Sequence, residues 1–262
     1  MNHPNHFSIT LQPLPKLVKE KNSLRSTPLP SLPSLNSVLT EFAPLPSSSL
    51  FLGLATDGLP ILLNLLDPLP GPIILIGDAG CGKTNFLQTV AASVSQLHSI
   101  EEVCYAVIAN EKSEWINSKN LNNCMGQFSM REPKVASYLN SLVAWAHSNK
   151  GERQVDVLFI DHLESLLEIP EVQQDLRWLF LRGPSRRVWP IVTANSSIAV
   201  SGPFQSWLTS FRTRLFGHIQ DDHSTQFLTS FSRNSFADLF TGYQFAMREG
   251  NGWLPFWIPV MD

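Results

Sequence analysis

An eight-residue segment, Gly77-Asp78-Ala79-Gly80-Cys81-Gly82-Lys83-Thr84, limits the possible folds of this chain more than any other part of it. It matches the phosphate-binding loop pattern G-x-x-x-x-G-K-[ST] at every position. The apolar run 73–76 precedes it and predicts a buried strand, and the apolar positions after Asn85 recur at helical spacing. The segment therefore stands between a strand and a helix, as phosphate binding requires.

Each part of this loop has a predicted role toward a triphosphate and its Mg²⁺. The glycines let the backbone curl so that successive N–H groups point at phosphate oxygens, and the helix N-terminus favours anions. Lys83 is predicted to reach the β- and γ-phosphates, and Thr84 to offer its hydroxyl to Mg²⁺. The predicted cofactor-binding residues are Gly77, Asp78, Ala79, Gly80, Cys81, Gly82, Lys83, Thr84 and Asn85.

The composition predicts a cytoplasmic α/β domain. A chain of 262 residues with 43% hydrophobic residues can build one sizeable core. The net charge of −3 argues against coating nucleic acid by bulk charge, while a local basic patch stays open. Three scattered cysteines predict neither a disulfide framework nor a zinc site. We find no signal peptide and no apolar run of the roughly 20 residues that a membrane span needs.

Two regions differ in composition. Residues 1–46 are rich in proline, serine and leucine, which predicts an extended or disordered arm. Its leucines could dock on a neighbouring subunit or on another protein. Residues 47–262 are predicted to form the phosphate-loop domain, with order beginning near Leu50.

Regular elements alternate along this domain. Asp57-Gly58 between apolar runs predicts a hairpin, and residues 243–258 predict another. Strands are expected at 73–76, 103–109, 155–160, 188–194 and 214–219, and helices at 134–147 and 171–181. This alternation predicts an α/β fold with a mainly parallel sheet, helices on both faces and flanking β-hairpins.

A second nucleotide-binding signature is the apolar strand 155–160 followed by Asp161. The strand places this carboxylate at the sheet edge beside the phosphate loop, where it is predicted to hold Mg²⁺. His162 or Glu164 could position an attacking water, since both can accept a proton near neutral pH, and Glu168 lies further on. If neither does so, hydrolysis is slow or absent.

Other polar residues are candidates for the same site. Asn195, with Thr193 second, could contact the γ-phosphate or the water, although asparagine after a strand is also ordinary turn chemistry. Arg182 and Arg186 could reach a neighbour's nucleotide as a finger, or form a solvated basic turn. A further pair, Arg212 and Arg214, could bind phosphates or pair with Asp221 and Asp222 across a turn.

Taken in chain order, these motifs and predicted elements resemble those of the FtsK/HerA superfamily of ring-forming motor ATPases, which are P-loop NTPases with an additional strand. The resemblance covers about residues 50 to 260. It is carried by the Asp57-Gly58 hairpin, the phosphate loop, the segment 159–167, the segment 181–195 and the segment 211–215. Of these, the phosphate loop is the highly specific motif.

The resemblance implies ATP and Mg²⁺ as cofactors in a homo-oligomer, a hexameric ring that moves double-stranded DNA or sometimes protein. Lys83, Thr84 and Asp161 of one subunit would share the nucleotide with an arginine of the next. The chain departs from the family where His162 replaces the usual glutamate and Asn195 the usual glutamine. A second hypothesis is therefore a nucleotide-gated scaffold that binds ATP and assembles with little hydrolysis.

Overall fold

The computed structural model describes residues 31–115, 122–149, 154–229 and 236–262. The strands are β1 (Ser49–Ala55), β2 (Pro60–Asn64), β3 (Ile73–Gly77), β4 (Val103–Ala109), β5 (Cys124–Ser129), β6 (Val155–Ile160), β7 (Val188–Asn195), β8 (Thr213–Phe216), β9 (Gln244–Glu249) and β10 (Gly252–Trp257). The helices are α1 (Leu35–Glu41), α2 (Lys83–Leu97), α3 (Lys134–Asn149), α4 (Leu163–Leu166), α5 (Pro170–Arg182), α6 (Ser196–Ala199), α7 (Gly202–Leu208) and α8 (Asp222–Thr229).

All ten strands belong to one sheet, in the order β2-β1-β10-β9-β8-β3-β7-β6-β4-β5. The run from β8 to β5 is parallel, and β9, β10, β1 and β2 continue the sheet in antiparallel pairs. Strand β7 lies between β3 and β6, so one additional strand separates the phosphate strand from the strand that ends before Asp161. The predicted fold class is confirmed, including the flanking hairpins.

The central strands are apolar because both of their faces are covered. Along β3, Ile74 and Ile76 face the cluster that contains α3 and α5, and Ile73 and Leu75 face the cluster that contains α2. All five residues of β3 and all six of β6 are buried. A strand covered on both faces reads as a continuous hydrophobic run, which is why these strands could be recognised in the sequence.

Most predicted elements are found at nearly the predicted residues, and the differences have physical reasons. Strand β8 ends at Phe216 rather than at residue 219, because the chain turns there and the carbonyl of His218 accepts from the Asp78 N–H at 2.9 Å. Strand β5 was not predicted, since its apolar and polar residues do not alternate and it contains Gly126. It forms by pairing with β4 at the sheet edge.

The packed domain begins earlier than predicted, because helix α1 lies within residues 1–46, the predicted arm. Leu35, Val38 and Leu39 are buried against Phe51, at the i, i+3 and i+4 spacing of one helix face. Ser34 caps the helix by accepting from the Ser37 N–H at 3.3 Å. The ordered unit therefore begins before residue 47, and residues 1–30 of the predicted arm lie outside the described residues. No helix in the described ranges is long and apolar enough to cross a membrane.

One carboxylate is buried in the core away from the phosphate loop. Asp156, the second residue of β6, lies with its Oδ2 atom 3.8 Å from the Cys104 thiol, and its Oδ1 atom has no hydrogen-bond partner among the residues that the structure describes. Burial raises the pKa of Asp156 to about 7. The folded chain therefore retains a proton that the unfolded chain releases between about pH 4 and pH 7.

We expect the free energy of unfolding to fall as the pH rises from about 4 to 7, with a slope of at most about 1.4 kcal/mol per pH unit from this group. Asp156→Asn, which is neutral at every pH, should remove that contribution and raise stability at pH 8 relative to the parent. Urea unfolding across this range measures both. The exposed Glu101→Gln serves as control and should keep the parent profile. Parallel profiles for the parent and Asp156→Asn would contradict the prediction.

Candidate nucleotide-binding site

The phosphate loop connects β3 to α2 through residues 78–82. Gly82 has a φ of +100°, in the region that favours glycine, and a Cβ atom there would lie 2.5 Å from the Cα of Gly242. Gly80 has a φ of +77° at the exposed tip of the loop. The glycines that the pattern requires therefore allow the turn of the phosphate loop and also the close approach of the segment that contains Gly242.

Cys81 packs inward beneath the loop. Cβ atoms built on Gly77 and Gly217 would lie 2.5 and 2.8 Å from its sulfur, so both glycines are needed to admit this side chain. Burial raises the pKa of the Cys81 thiol, with Lys83 partly opposing the shift. The side chain therefore stays neutral, and this residue can serve a phosphate only through its backbone.

Lys83 begins α2 and is buried, with 5% of its surface exposed. Its Nζ atom donates to the carbonyl of Gly77 at 2.9 Å and to that of Asp78 at 2.8 Å. These bonds hold the ammonium group inside the curl of the loop. A fixed positive charge beside a helix N-terminus is suited to a phosphate.

Asp161 joins three elements of the sheet edge. Its Oδ2 atom accepts from the Thr84 hydroxyl at 2.7 Å, and its Oδ1 atom accepts from the Thr193 hydroxyl at 2.7 Å. The carboxylate is 1% exposed. The Thr84 hydroxyl and this carboxylate are the oxygen donors that Mg²⁺ prefers when phosphates supply its remaining ligands, so the residues fit a nucleotide-bound Mg²⁺.

His162 follows Asp161 in a left-handed conformation, with φ 72°. Its N–H donates to the Thr193 hydroxyl at 2.8 Å, and its Nδ1 lies 3.4 Å from Glu164 Oε1. The hydrogen bond with Glu164 raises the pKa of His162, burial opposes the shift, and Asp161 adds to it. A left-handed backbone in a residue other than glycine costs energy and is common at functional sites.

Glu164 connects His162 to the neighbouring strand. Its Oε1 atom accepts from the Asn195 N–H at 3.1 Å, and its Oε2 atom is buried without a hydrogen-bond partner in the described part of the chain. The two residues predicted to position water are therefore joined to each other and to β7. This contact depends on the adjacency of β6 and β7, which the sequence alone does not display.

Asn195 lies opposite Gly77 in the register between β7 and β3. Its Oδ1 atom accepts from the N–H of Ser197 at 3.1 Å and from the Ser197 hydroxyl at 2.9 Å, which caps α6. The side-chain oxygen therefore makes local turn hydrogen bonds, which was the alternative prediction for Asn195. Thr193, the second candidate, is the residue that contacts Asp161, and the γ-phosphate contact of Asn195 stays a prediction.

The candidate arginines lie at the other edge of the sheet. Arg182 ends α5, and Arg186 lies in the short 3-10 turn before β7 begins. Because β7 runs parallel to β3 and ends beside Gly77, its beginning is a strand length away from the phosphate loop. The structure does not bring either arginine to the loop of its own chain, and action on a neighbour's nucleotide stays a prediction.

Glu168 also lies apart from the phosphate loop. It lines a cleft of about 950 Å³ beside His162, together with Glu111, Glu132 and Arg131. None of residues 77–85 is among the described residues that line this cleft.

Several contacts that hold the loop were not predicted. Asp78 accepts from the Ser196 hydroxyl and, at 2.8 Å, from the Gln220 N–H, so it anchors the loop to the segments after β7 and β8. Asn85 donates to the carbonyl of Gly242 at 2.9 Å, and the Gly242 N–H donates to the carbonyl of Cys81 at 2.9 Å. These partners are distant in the chain, and no local pattern marks them.

Comparison with known proteins gives matches by structure. No family model and no curated protein matches this chain. EssC (ATPases 2 and 3) from Geobacillus thermodenitrificans is 15% identical, with a TM-score of 0.67 over 89% of this chain and 48% of that chain. EccC (ATPases 2 and 3) of Thermomonospora curvata, in complex with a signal sequence peptide, is 14% identical, with a TM-score of 0.66 over 89% and 44%. The pCW3 conjugation coupling protein TcpA, a monomer with ATPγS, is 15% identical, with a TM-score of 0.64 over 88% and 70%.

The chain has the fold of these three solved structures, two of which are named as ATPases. At this level of sequence identity the likeness establishes the fold. The chain spans less than half the length of the EssC and EccC structures that it matches. Within this fold, the neighbouring strands β6 and β7 bring Asp161 and Thr193 into hydrogen-bond contact, and a substitution at Thr193 tests that contact.

Thr193→Val keeps the shape of the buried side chain and removes its hydroxyl. Asp161 then loses one donor and the His162 N–H loses its acceptor, so we expect the free energy of unfolding to fall by about 1–3 kcal/mol. Thr193→Ser, which retains the hydroxyl, should lose less, about 0.8 kcal/mol for one buried carbon. Urea unfolding of the three chains measures the difference. Equal losses for valine and serine would show that the hydroxyl contributes nothing.

Proposed function

We propose that this chain binds ATP with Mg²⁺ and hydrolyses it as a motor-like subunit of a homo-oligomer. The observation that carries the proposal is the hydrogen-bonded group Thr84–Asp161–Thr193 beside the buried ammonium of Lys83. A chance match to the phosphate-loop pattern would have no reason to bring a carboxylate from a strand 77 residues away onto the threonine of the loop.

In this proposal Lys83 and the backbone N–H groups of the loop bind the β- and γ-phosphates. Thr84 and Asp161 hold Mg²⁺, which neutralises charge that develops on the phosphates. Thr193 fixes the Asp161 carboxylate by donating to the oxygen that Thr84 does not contact. Positioning and electrostatic stabilisation then supply most of the catalysis, as in other phosphoryl transfers.

His162, together with Glu164, is proposed to position the attacking water. The Nδ1 atom of His162 faces Glu164, which leaves Nε2 as the ring nitrogen that can accept a proton from water. Glu164 is in turn fixed by the N–H of Asn195. The pair His162–Glu164 resembles a histidine base that a carboxylate orients, a recurring arrangement in catalysis.

The structures that share the fold support a motor rather than a small-molecule kinase. The TcpA structure contains ATPγS, and EccC was solved in complex with a signal sequence peptide. We propose by analogy that this chain assembles, as a hexameric ring, and that hydrolysis moves double-stranded DNA or a protein. A protein partner is proposed for the N-terminal arm.

The second candidate is a nucleotide-gated scaffold that binds ATP and assembles with little turnover. The observation in its favour is His162 at the position where the family has glutamate. Both candidates require nucleotide binding, so they differ only in phosphate release and in the effect of nucleotide on assembly.

Lys83→Ala should abolish ATP binding, because it removes the charge inside the loop. Asp161→Asn should retain weakened binding and lose phosphate release by at least about a hundredfold, a typical cost of one catalytic electrostatic group. Calorimetry with a non-hydrolysable ATP analogue and a phosphate-release assay measure the two effects. Lys134→Ala, at an exposed lysine on α3, is the matched control and should match the parent.

Release that double-stranded DNA stimulates, and that Asp161→Asn loses, supports the motor. Tight binding of the analogue, an increase in molar mass and no release support the scaffold. ATP binding that survives Lys83→Ala unchanged would contradict both.

Substitutions at His162 test the proposed base. His162→Ala should lower phosphate release by about 10²–10⁴-fold, the contribution of a positioned general base, with binding of the analogue unchanged. His162→Glu, which restores the residue usual in the family, should retain or increase release. Unchanged release in His162→Ala would exclude the histidine as base.

A further inference from the structure

Three arginines line one cavity at the edge of the sheet opposite the phosphate loop. Arg212 and Arg214 lie at the beginning of β8, and Arg248 lies near the end of β9. The cavity has a volume of about 320 Å³, and its other described lining residues are apolar or aromatic apart from Thr229, among them Phe211 and Trp253. No aspartate or glutamate is among the described residues that line it.

The strand register brings like charges together. Leu215 pairs with Met247 in the antiparallel ladder, so the next position places Arg214 opposite Arg248. Like charges directly across a strand pair destabilise a sheet. In the described parts of the chain, neither Arg212 nor Arg214 has a carboxylate within salt-bridge distance.

Backbone carbonyls fix the directions of the guanidinium groups. Arg214 donates to the carbonyls of Leu208 at 2.9 Å and Phe211 at 3.3 Å, and Arg212 donates to the carbonyl of Leu69 at 3.4 Å. Arg248 donates to the carbonyl of Gly250 at 3.3 Å. Each guanidinium carries five donors, so Arg212 and Arg214 retain donors beyond these bonds. Arg214 is half-buried, and burial lowers its pKa.

The acidic residues that could have paired with these arginines lie elsewhere. Asp221 and Asp222 follow β8 at its other end, on the side of the phosphate loop. Asp221 accepts from the N–H and the hydroxyl of Ser224, at 2.8 and 2.6 Å, and so caps the start of α8. Pairing across a turn, one of the two sequence-based alternatives, is therefore excluded for Asp221.

We propose that the cavity of Arg212, Arg214 and Arg248 binds a phosphate group, separate from the nucleotide that the phosphate loop binds. Arg212 and Arg214, for which the described residues supply no carboxylate, place two positive charges in this small cavity, and a phosphate supplies more than one negative charge where a carboxylate supplies one. Arginine forks match phosphate oxygens in geometry. The phosphate is either free in solution or part of a nucleic acid backbone, and the two sources share this chemistry.

The test uses the full chain carrying Lys83→Ala, so that the phosphate loop contributes as little as possible. Inorganic pyrophosphate and a short double-stranded DNA are titrated separately by calorimetry and by fluorescence anisotropy. Arg212→Gln with Arg248→Gln is added to this background. We expect the affinity for at least one probe to fall at least about tenfold, because the two substitutions remove charged hydrogen bonds to the phosphate.

The matched control is Arg131→Gln, an exposed arginine at the opposite edge of the sheet. It should leave both affinities unchanged, and melting temperatures should show that all chains are folded. Arg214 is left in place because it also caps the end of α7. Arginine-dependent binding of pyrophosphate alone identifies a free phosphate, and arginine-dependent binding of DNA identifies a nucleic acid backbone. Binding of neither probe, or binding that the double substitution leaves unchanged, overturns the proposal, whether or not the parent chain binds ATP.

Discussion

The site depends on a buried carboxylate that two hydroxyl groups hold from different elements. Asp161 is almost fully buried and accepts from Thr84 at the start of α2 and from Thr193 on β7. A carboxyl group in such a place is tolerated only when its oxygens are hydrogen-bonded. Through Asp161, these hydrogen bonds connect α2 and the phosphate loop to β7, the additional strand of the sheet.

The loop is also fixed from outside this group. Asp78 accepts from the segments that follow β7 and β8, and Gly242 bonds to the loop from the segment before β9. The segments that follow β6, β7 and β8 and the segment that precedes β9 therefore each contribute a contact to the loop. Such an arrangement preorganises backbone donors, which is the main means of catalysis open to a protein in phosphoryl transfer.

His162 stands where the resemblance to the FtsK/HerA superfamily predicts a glutamate, and this difference has a structural counterpart. The histidine has a left-handed backbone and contacts Glu164, which in turn bonds to the backbone of Asn195. Glu164 lies two residues later than the usual glutamate, and the helical turn α4 brings its carboxylate back toward the same edge. The sequence left the choice between these two residues open, and the structure shows that they form one hydrogen-bonded unit.

The sequence by itself determined the phosphate loop, the strand that ends before Asp161, the parallel α/β class and the two hairpins. These features come from local patterns, since a fully covered strand is a continuous apolar run and a tight turn needs glycine. Only the tertiary structure decided that α1 packs on the domain, that Thr193 contacts Asp161 and that Arg182 lies far from the phosphate loop of its own chain. Each of these depends on which strands are neighbours and in what direction they run. That order is set by burial and hydrogen bonding between residues far apart in the chain, which a local pattern does not record.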